Sequence, residues 1–339
     1  MSTTAGYFDE TILTDIRVKA DAIMFDDRIK QQFVPDVDIF KAISAVQTAT
    51  VYPSKARNKI VGVDVMWQNV CGQSAEDNVT CEIGGAKSST NIKDYDLAFE
   101  RMVKFTEDEA DFIDNEFDIE TAIAKDILNA DKTMAEAFAV YCVGRINTFK
   151  GVNTLGTNGK GVVDGTNTYI LPAYWDATLA AYLKRVEKSN KITSPAYASG
   201  QNLFEQMFVA EAKRANADGK GEAILYNGMR FYFDLVNIDA VNSDDLVTYM
   251  LSSGSLALAS RNLNPDVPEV VNGVFTRYTM DSKFIPGMKY DVFYDNDCTT
   301  NDLIQHNFKI KLVADLFNNP TGCDDHNTGV LSFICGAPA

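Results

Sequence analysis

The feature that most restricts how this chain can fold is the stretch from Asp118 to about Thr148. Apolar side chains recur there at Ile119, Ile123, Ile127, Ala130, Met134, Phe138 and Tyr141. Steps of three and four residues are the period of a helix with one buried stripe. Asp118 stands where a side-chain oxygen can accept from the unpaired N–H groups of a first turn. No proline interrupts the run; Gly144 weakens its end and Gly151 is a suitable stop. About 30 helical residues span roughly 45 Å, against about 11–12 residues for an average helix. Such an element is either the centre of a large core or a strut bracing a broad, flat body.

The segments around it have distinct textures. Residues 1–48 carry partial helical spacing at Ile12, Ile16, Ala20 and Ile23, interleaved with charges such as Asp15, Arg17, Lys19 and Asp21. Large apolar groups are too sparse there for independent folding, so this piece is expected to be an arm lying on another surface or, equally, an N-terminal helix packed on its own domain. Residues 49–112 read as an extended hairpin. Ile60 to Gln68 is a strand with Val61, Val63, Val65 and Trp67 on one face, Cys71 to Ser89 a polar tip, and Tyr95 to Thr106 the returning strand. A hairpin standing off a domain is marginal alone and leans on a neighbour.

Beyond the long helix, Gly151 to Thr168 is a loop by composition. Tyr174–Lys188 and Asn202–Ala215 read as helices, and Ala223–Tyr226 and Met229–Val236 as strands. Asp244–Arg261 is expected to begin helical and end extended. Strands are expected at Phe275–Met280, Lys289–Tyr294, His306–Ala314 and Val330–Cys335. Helices and strands are segregated rather than alternating, which points to an α+β fold.

Charge excludes one function class. The chain has 47 acidic and 31 basic residues among 339, a net charge of -16, and such a surface repels phosphate backbones. Sequence-specific nucleic-acid binding is disfavoured, although an acidic surface can face packaged DNA without gripping it. Hydrophobic residues make up 46% of the chain, enough for a sizeable core. Six cysteines are too few for a disulfide scaffold at this length. Met1–Glu10 lacks the basic and apolar regions of a secretory signal, and no apolar run reaches membrane-spanning length. A product made in a reducing cytoplasm is expected.

Four constellations are candidates for chemistry. Gly156-Thr-Asn-Gly-Lys-Gly161 matches in letters the phosphate loop of the Mur ligase and folylpolyglutamate synthetase group. A phosphate cradle needs a buried strand before it and a helix N-terminus after it, and Val162-Val163-Asp164-Gly165 does not read as a helix start. Asn216 to Glu222 has the composition of a calcium loop, but Arg214 and Lys220 break the required run of oxygen ligands. Cys323, His326, His306, Cys298 and Cys335 lack paired metal-ligand spacing. The two histidines lie in the strand-rich tail, and no Gly-x-Ser-x-Gly elbow accompanies them. No catalytic, cofactor-binding or metal residue is expected, and no cofactor.

The order of these segments resembles the tailed-bacteriophage major capsid proteins of the Hong Kong 97-type fold. The resemblance is carried by the hairpin from Val61 to Phe105, the helix Asp118–Thr148, and the segment from Ser199 through Phe231 to Asp239. The ending Asn319-Pro-Thr-Gly-Cys-Asp-Asp-His-Asn-Thr-Gly-Val-Leu-Ser-Phe adds to it. It covers most of the chain from about residue 50. It implies an N-terminal arm (1–48), an extended hairpin loop (49–112), a peripheral domain with the spine helix (113–192), an axial domain (193–288) and a return to the peripheral domain (289–339). It also implies a non-enzymatic virion protein, assembled in the host cytoplasm with itself as partner in pentamers and hexamers around double-stranded DNA. Scaffolding, portal and decoration proteins are further partners of such a shell, and no membrane is involved. The alternatives are an ATP-dependent ligase using the Gly156–Gly161 loop and another virion or protein-cage subunit.

Overall fold

In the computed structural model of the chain, the described residues are 10–54, 62–69, 89–112, 118–158, 160–175, 177–201, 203–204, 223–226, 228–242, 246–298, 303–319 and 328–337. The elements in chain order begin with α1 (Glu10–Phe25), α2 (Asp27–Phe33), α3 (Ile39–Val46), β1 (Thr50–Pro53), β2 (Gly62–Asn69), β3 (Ser89–Asp96), β4 (Phe99–Asp108) and α4 (Ile119–Thr148). There follow β5 (Gly161–Asp164), β6 (Asn167–Ile170), α5 (Ala177–Ser189), β7 (Ala196–Ser199), β8 (Ala223–Tyr226), β9 (Met229–Phe233) and α6 (Asn237–Asn242). The remainder is extended: β10 (Val247–Leu251), β11 (Leu256–Ser260), β12 (Glu269–Val271), β13 (Phe275–Asp281), β14 (Lys289–Cys298), β15 (Ile304–Asn318) and β16 (Val330–Cys335). The chain is α+β, as the segregated texture implies.

Two compact units form, and neither is one run of sequence. The first takes Met1–Pro35, Leu97–Phe138 and Ser260–Asp315; the second takes Asp36–Asp96, Ala139–Ala259 and Leu316–Ala339. Residues 139–192 cluster with 193–259, and 260–288 cluster with 289–315. The cause is pairing at long sequence separation, which composition along the chain does not register.

In the first unit β15 pairs antiparallel with β14 along one edge and β4 along the other, and β13 and β12 extend the sheet beyond β14. Alternation sends Tyr278, Tyr290, Val292, Tyr294, Phe308, Ile310 and Leu312 inward, all buried. The first twenty residues of α4 bury Ile123, Ile127, Met134 and Phe138 in the same unit, with Phe138 4.8 Å from the Phe99 ring. Each such side chain contributes about 1.5–3 kcal/mol by leaving water. Asp118 does cap α4, its Oδ1 accepting from Thr121 N at 2.8 Å. α1 buries Ile16, Ala20 and Ile23, four and three residues apart, and Lys19 pairs with Asp118 and Glu120 at the start of α4.

The second unit holds a seven-stranded sheet in the order β5-β6-β16-β10-β7-β9-β8. Every residue of β7 and β10 is buried, so these central strands are covered on both faces. α5 places Leu179, Leu183 and Val186 in a core shared with Tyr197, Phe231, Met250 and Phe333. α3 packs beside β7, β9 and β10 and buries Ile39, Phe40, Ala42, Ile43 and Val46. Residues 39–46, within the segment expected to be an arm, are thus seated on strands of their own chain. Five apolar residues crowded into the eight of α3 outweigh the sparse residues before them.

A separate three-stranded sheet, β1-β2-β3, also belongs to the second unit. Val63, Val65 and Trp67 are buried on one face, as alternation predicts. The returning strand is corrected: β3 pairs with β2 in the register Val63↔Tyr95 and Met66↔Ile92. The more apolar β4, read as the return, pairs with β15 about two hundred residues later. The Asp244–Arg261 stretch is corrected as well. Its described part is two strands, β10 and β11, joined by a turn at Ser253–Gly254, and the short helix lies earlier, in α6. Of the Asn202–Ala215 helix only residues 203 and 204 are described, and Leu203 is buried.

Candidate functional site

The Gly156–Gly161 loop is placed, apart from Gly159, and it is not a phosphate cradle. Asn158 N donates to Gly161 O at 3.0 Å and Lys160 N to Asn158 O at 2.7 Å, so amides that would bind an anion are spent inside the turn. A strand, β5, follows in place of a helix N-terminus. Lys160 Nζ lies 5.6 Å from the Tyr174 ring centre. Gly156 adopts φ +65°, and a Cβ on Gly161 would lie 2.1 Å from Tyr182 Oη. These glycines serve a left-handed turn and a close contact. Behind the loop, Asn190 Nδ2 donates to Asn153 Oδ1 at 2.9 Å, and Asn153 Nδ2 to Thr168 Oγ1 at 3.2 Å. That network anchors the loop to α5 and β6.

Asn216–Glu222, Cys71, Cys81 and Cys323–His326 lie outside the described residues. His306 is fully buried on β15, with Nδ1 2.9 Å from Tyr294 Oη and Nε2 3.5 Å from Glu109 Oε1. Burial pushes its pKa down, partly opposed by the Glu109 charge, so it packs as a neutral ring. Cys142 is buried and Cys335 half-buried. Among the described residues, no three His, Cys, Asp or Glu side chains are grouped to hold a metal ion.

The described surface also carries exposed apolar side chains, several of them sharing an element. Val18 and Phe25 are seven residues apart on α1 and so share one helix face, and Phe25 is 87% exposed. On the β1-β2-β3 sheet, the face opposite Val63 and Trp67 carries Tyr52 and Ile92, the latter 62% exposed. Leu263, Val267, Val270 and Val274 form a third exposed group at the β12–β13 end of the first unit. Single exposed apolar residues are ordinary; several on one element mark interaction surfaces.

The second unit also holds a close pair of acids. Asp234 is buried and accepts from Asn237 N at 2.8 Å and Ile39 N at 3.2 Å, joining α6 to α3. Half-buried Asp36 is pushed up to about 6, chiefly by desolvation and then by the charges of Asp234 and Asp38. A raised carboxyl makes the folded state bind its proton before the unfolded state does. Stability therefore rises as pH falls from 7 through about 6 toward 4. Asp36→Asn should stabilise the chain at pH 7 by about 1 kcal/mol, discounted because half the side chain faces water. It should also flatten the dependence between pH 4 and 7, read from urea midpoints at several pH values.

No protein-family model and no curated protein sequence matches the chain. Among solved structures it is similar to the capsid structure of cyanophage P-SCSP1u, at 9% identity over 82% of this chain and 84% of that one, with a TM-score of 0.46. It is also similar to the cyanophage Pam1 capsid asymmetric unit, at 12% identity over 81% and 85%, with a TM-score of 0.46. A third likeness is to the asymmetric unit of the bacteriophage PhiM1 mature capsid, at 8% identity over 82% and 83%, with a TM-score of 0.41.

Proposed function

We propose that this chain is a self-assembling shell subunit: the major capsid protein of a tailed bacteriophage, of the Hong Kong 97 type, forming pentamers and hexamers around double-stranded DNA. One observation carries the reading. Among the described residues, α1, the β1-β2-β3 sheet and the stretch from Leu263 to Val274 each leave two or more large apolar side chains in water. A subunit contacted on several sides by its copies buries such residues in the assembly.

On this reading the unit containing the first twenty residues of α4 is the peripheral body, and the seven-stranded unit the axial one. The net charge of -16 fits a container that holds DNA without reading it. Scaffolding, portal and decoration proteins would be its partners, assembly would take place in the host cytoplasm, and the role requires no catalysis. The test is negative-stain microscopy with sedimentation on the purified full chain. Closed particles, rings or sheets are expected. A compact monomer under every assembly condition overturns the proposal.

A further inference from the structure

A pocket of about 120 Å³ lies within the first unit, between α1, α4 and β13. Its wall is mostly apolar. Ile16 and Ala20 stand one turn apart on α1, Ile127 and Leu128 are consecutive on α4, and Tyr278 and Met280 share a face of β13. All of these except Met280 are buried.

Most polar groups at the pocket are committed to one another. Arg17 Nη2 donates to Thr279 O at 3.3 Å, and one turn further along α1 Asp21 Oδ1 accepts from Lys283 Nζ at 2.5 Å. The Asp131 carboxyl is engaged by Tyr290 Oη, Ser282 Oγ and Lys283 N. The lining charges are of both signs, Arg17 and Lys283 against Asp21, Asp131 and Asp281, so the pocket selects neither a cation nor an anion. Tyr278 differs from these groups. It is only 2% exposed, yet its hydroxyl makes no hydrogen bond with any described residue. Burial pushes its pKa up, with the Arg17 charge opposing, so it remains a neutral O–H that can donate or accept. Buried hydroxyls are nearly always satisfied, because an unpaired one is costly.

We infer that this pocket binds a small neutral aromatic molecule, about the size of benzene, that carries one hydrogen-bonding group. Apolar cavities of roughly 150 Å³ hold benzene. The aliphatic wall from α1 and α4 supplies the apolar burial, and Tyr278 Oη supplies the single polar contact. The inference does not depend on the shell reading.

The experiment is calorimetric titration of the full chain with phenol, and separately with benzene. Saturable one-site binding of both is expected, each competing with the other. Tyr278→Phe should weaken phenol about fivefold and leave benzene within about twofold, since only the hydroxyl contact is lost. Ala20→Leu puts a larger side chain into the space and should abolish both. Tyr278→Phe removes one oxygen that no described residue binds, so it reports even where Ala20→Leu does not fold. Absence of saturable phenol binding in the parent chain, phenol affinity unchanged by Tyr278→Phe, or binding unchanged in a folded Ala20→Leu chain overturns the proposal.

Discussion

Asp131→Leu should lower the folding free energy by about 3–4 kcal/mol, the largest loss expected from one polar side chain here. Asp131 sits in the middle of α4 and is almost fully buried. Its Oδ1 accepts from Tyr290 Oη at 2.6 Å and Ser282 Oγ at 2.7 Å, and its Oδ2 from Lys283 N at 2.7 Å. Leucine fills the space but leaves the buried Tyr290 hydroxyl and the part-buried Ser282 Oγ and Lys283 N without their acceptor, at about 1–3 kcal/mol for each that water does not reach. The sum is tempered because Ser282 Oγ can still meet Tyr290 Oη, which lies 3.1 Å away. Asp131→Asn keeps an acceptor oxygen and should cost about half as much.

The two variants also separate through pH. Burial pushes the Asp131 carboxyl above its ordinary value, against the hydrogen bonds from Tyr290, Lys283 and Ser282 that hold it down. The folded state therefore takes up the proton first. The parent chain gains stability as pH falls toward the ordinary aspartate value and loses it as pH rises through the raised one. Asparagine abolishes that component. Urea midpoints at several pH values measure both effects, and an Asp131→Leu chain as stable as the parent would refute the account.

Phe25→Asp combined with Ile92→Asp should abolish particles while leaving the isolated chain's stability within about 0.5 kcal/mol. Both side chains are largely in water in the single chain, so exchanging them removes little internal packing. At a contact between copies, each apolar side chain is worth about 1.5–3 kcal/mol on burial, and a carboxylate in its place is costly to desolvate. The loss recurs at every subunit of a shell. Microscopy reads assembly and denaturation reads folding; particles at parental yield would remove these faces from the assembly surface.

Periodic elements were the legible part of this chain. α4 begins within a residue of Asp118 because its cap and its apolar stripe agree, and β13 to β16 announce themselves by alternation. The β3 strand was not legible. Ser89-Thr-Asn-Ile-Lys-Asp-Tyr-Asp is polar, and its place is fixed by β2, whose Val65 and Trp67 stand opposite Lys93 and Asn91. β4 looked the better partner because its apolar content is higher, yet that content serves the sheet of the first unit. A pocket in the second unit lined by Asn147, Asn167 and Ser332 was invisible for another reason. Asn147, Asn167 and Ser332 are isolated polar residues, and only the parallel pairing of β6 with β16 brings the last two side by side.

That pairing bears on the timing of synthesis. β16 lies between β6 and β10, and β4 finds its partner only when β15 exists. Neither sheet can close on a ribosome until residues far downstream have emerged, and the seven-stranded one must wait for residues 330–335. Contacts this distant in sequence fold slowly and leave strand edges bare meanwhile. A nonsense mutation upstream of Val330 should therefore yield aggregates or degraded fragments in place of a folded second unit.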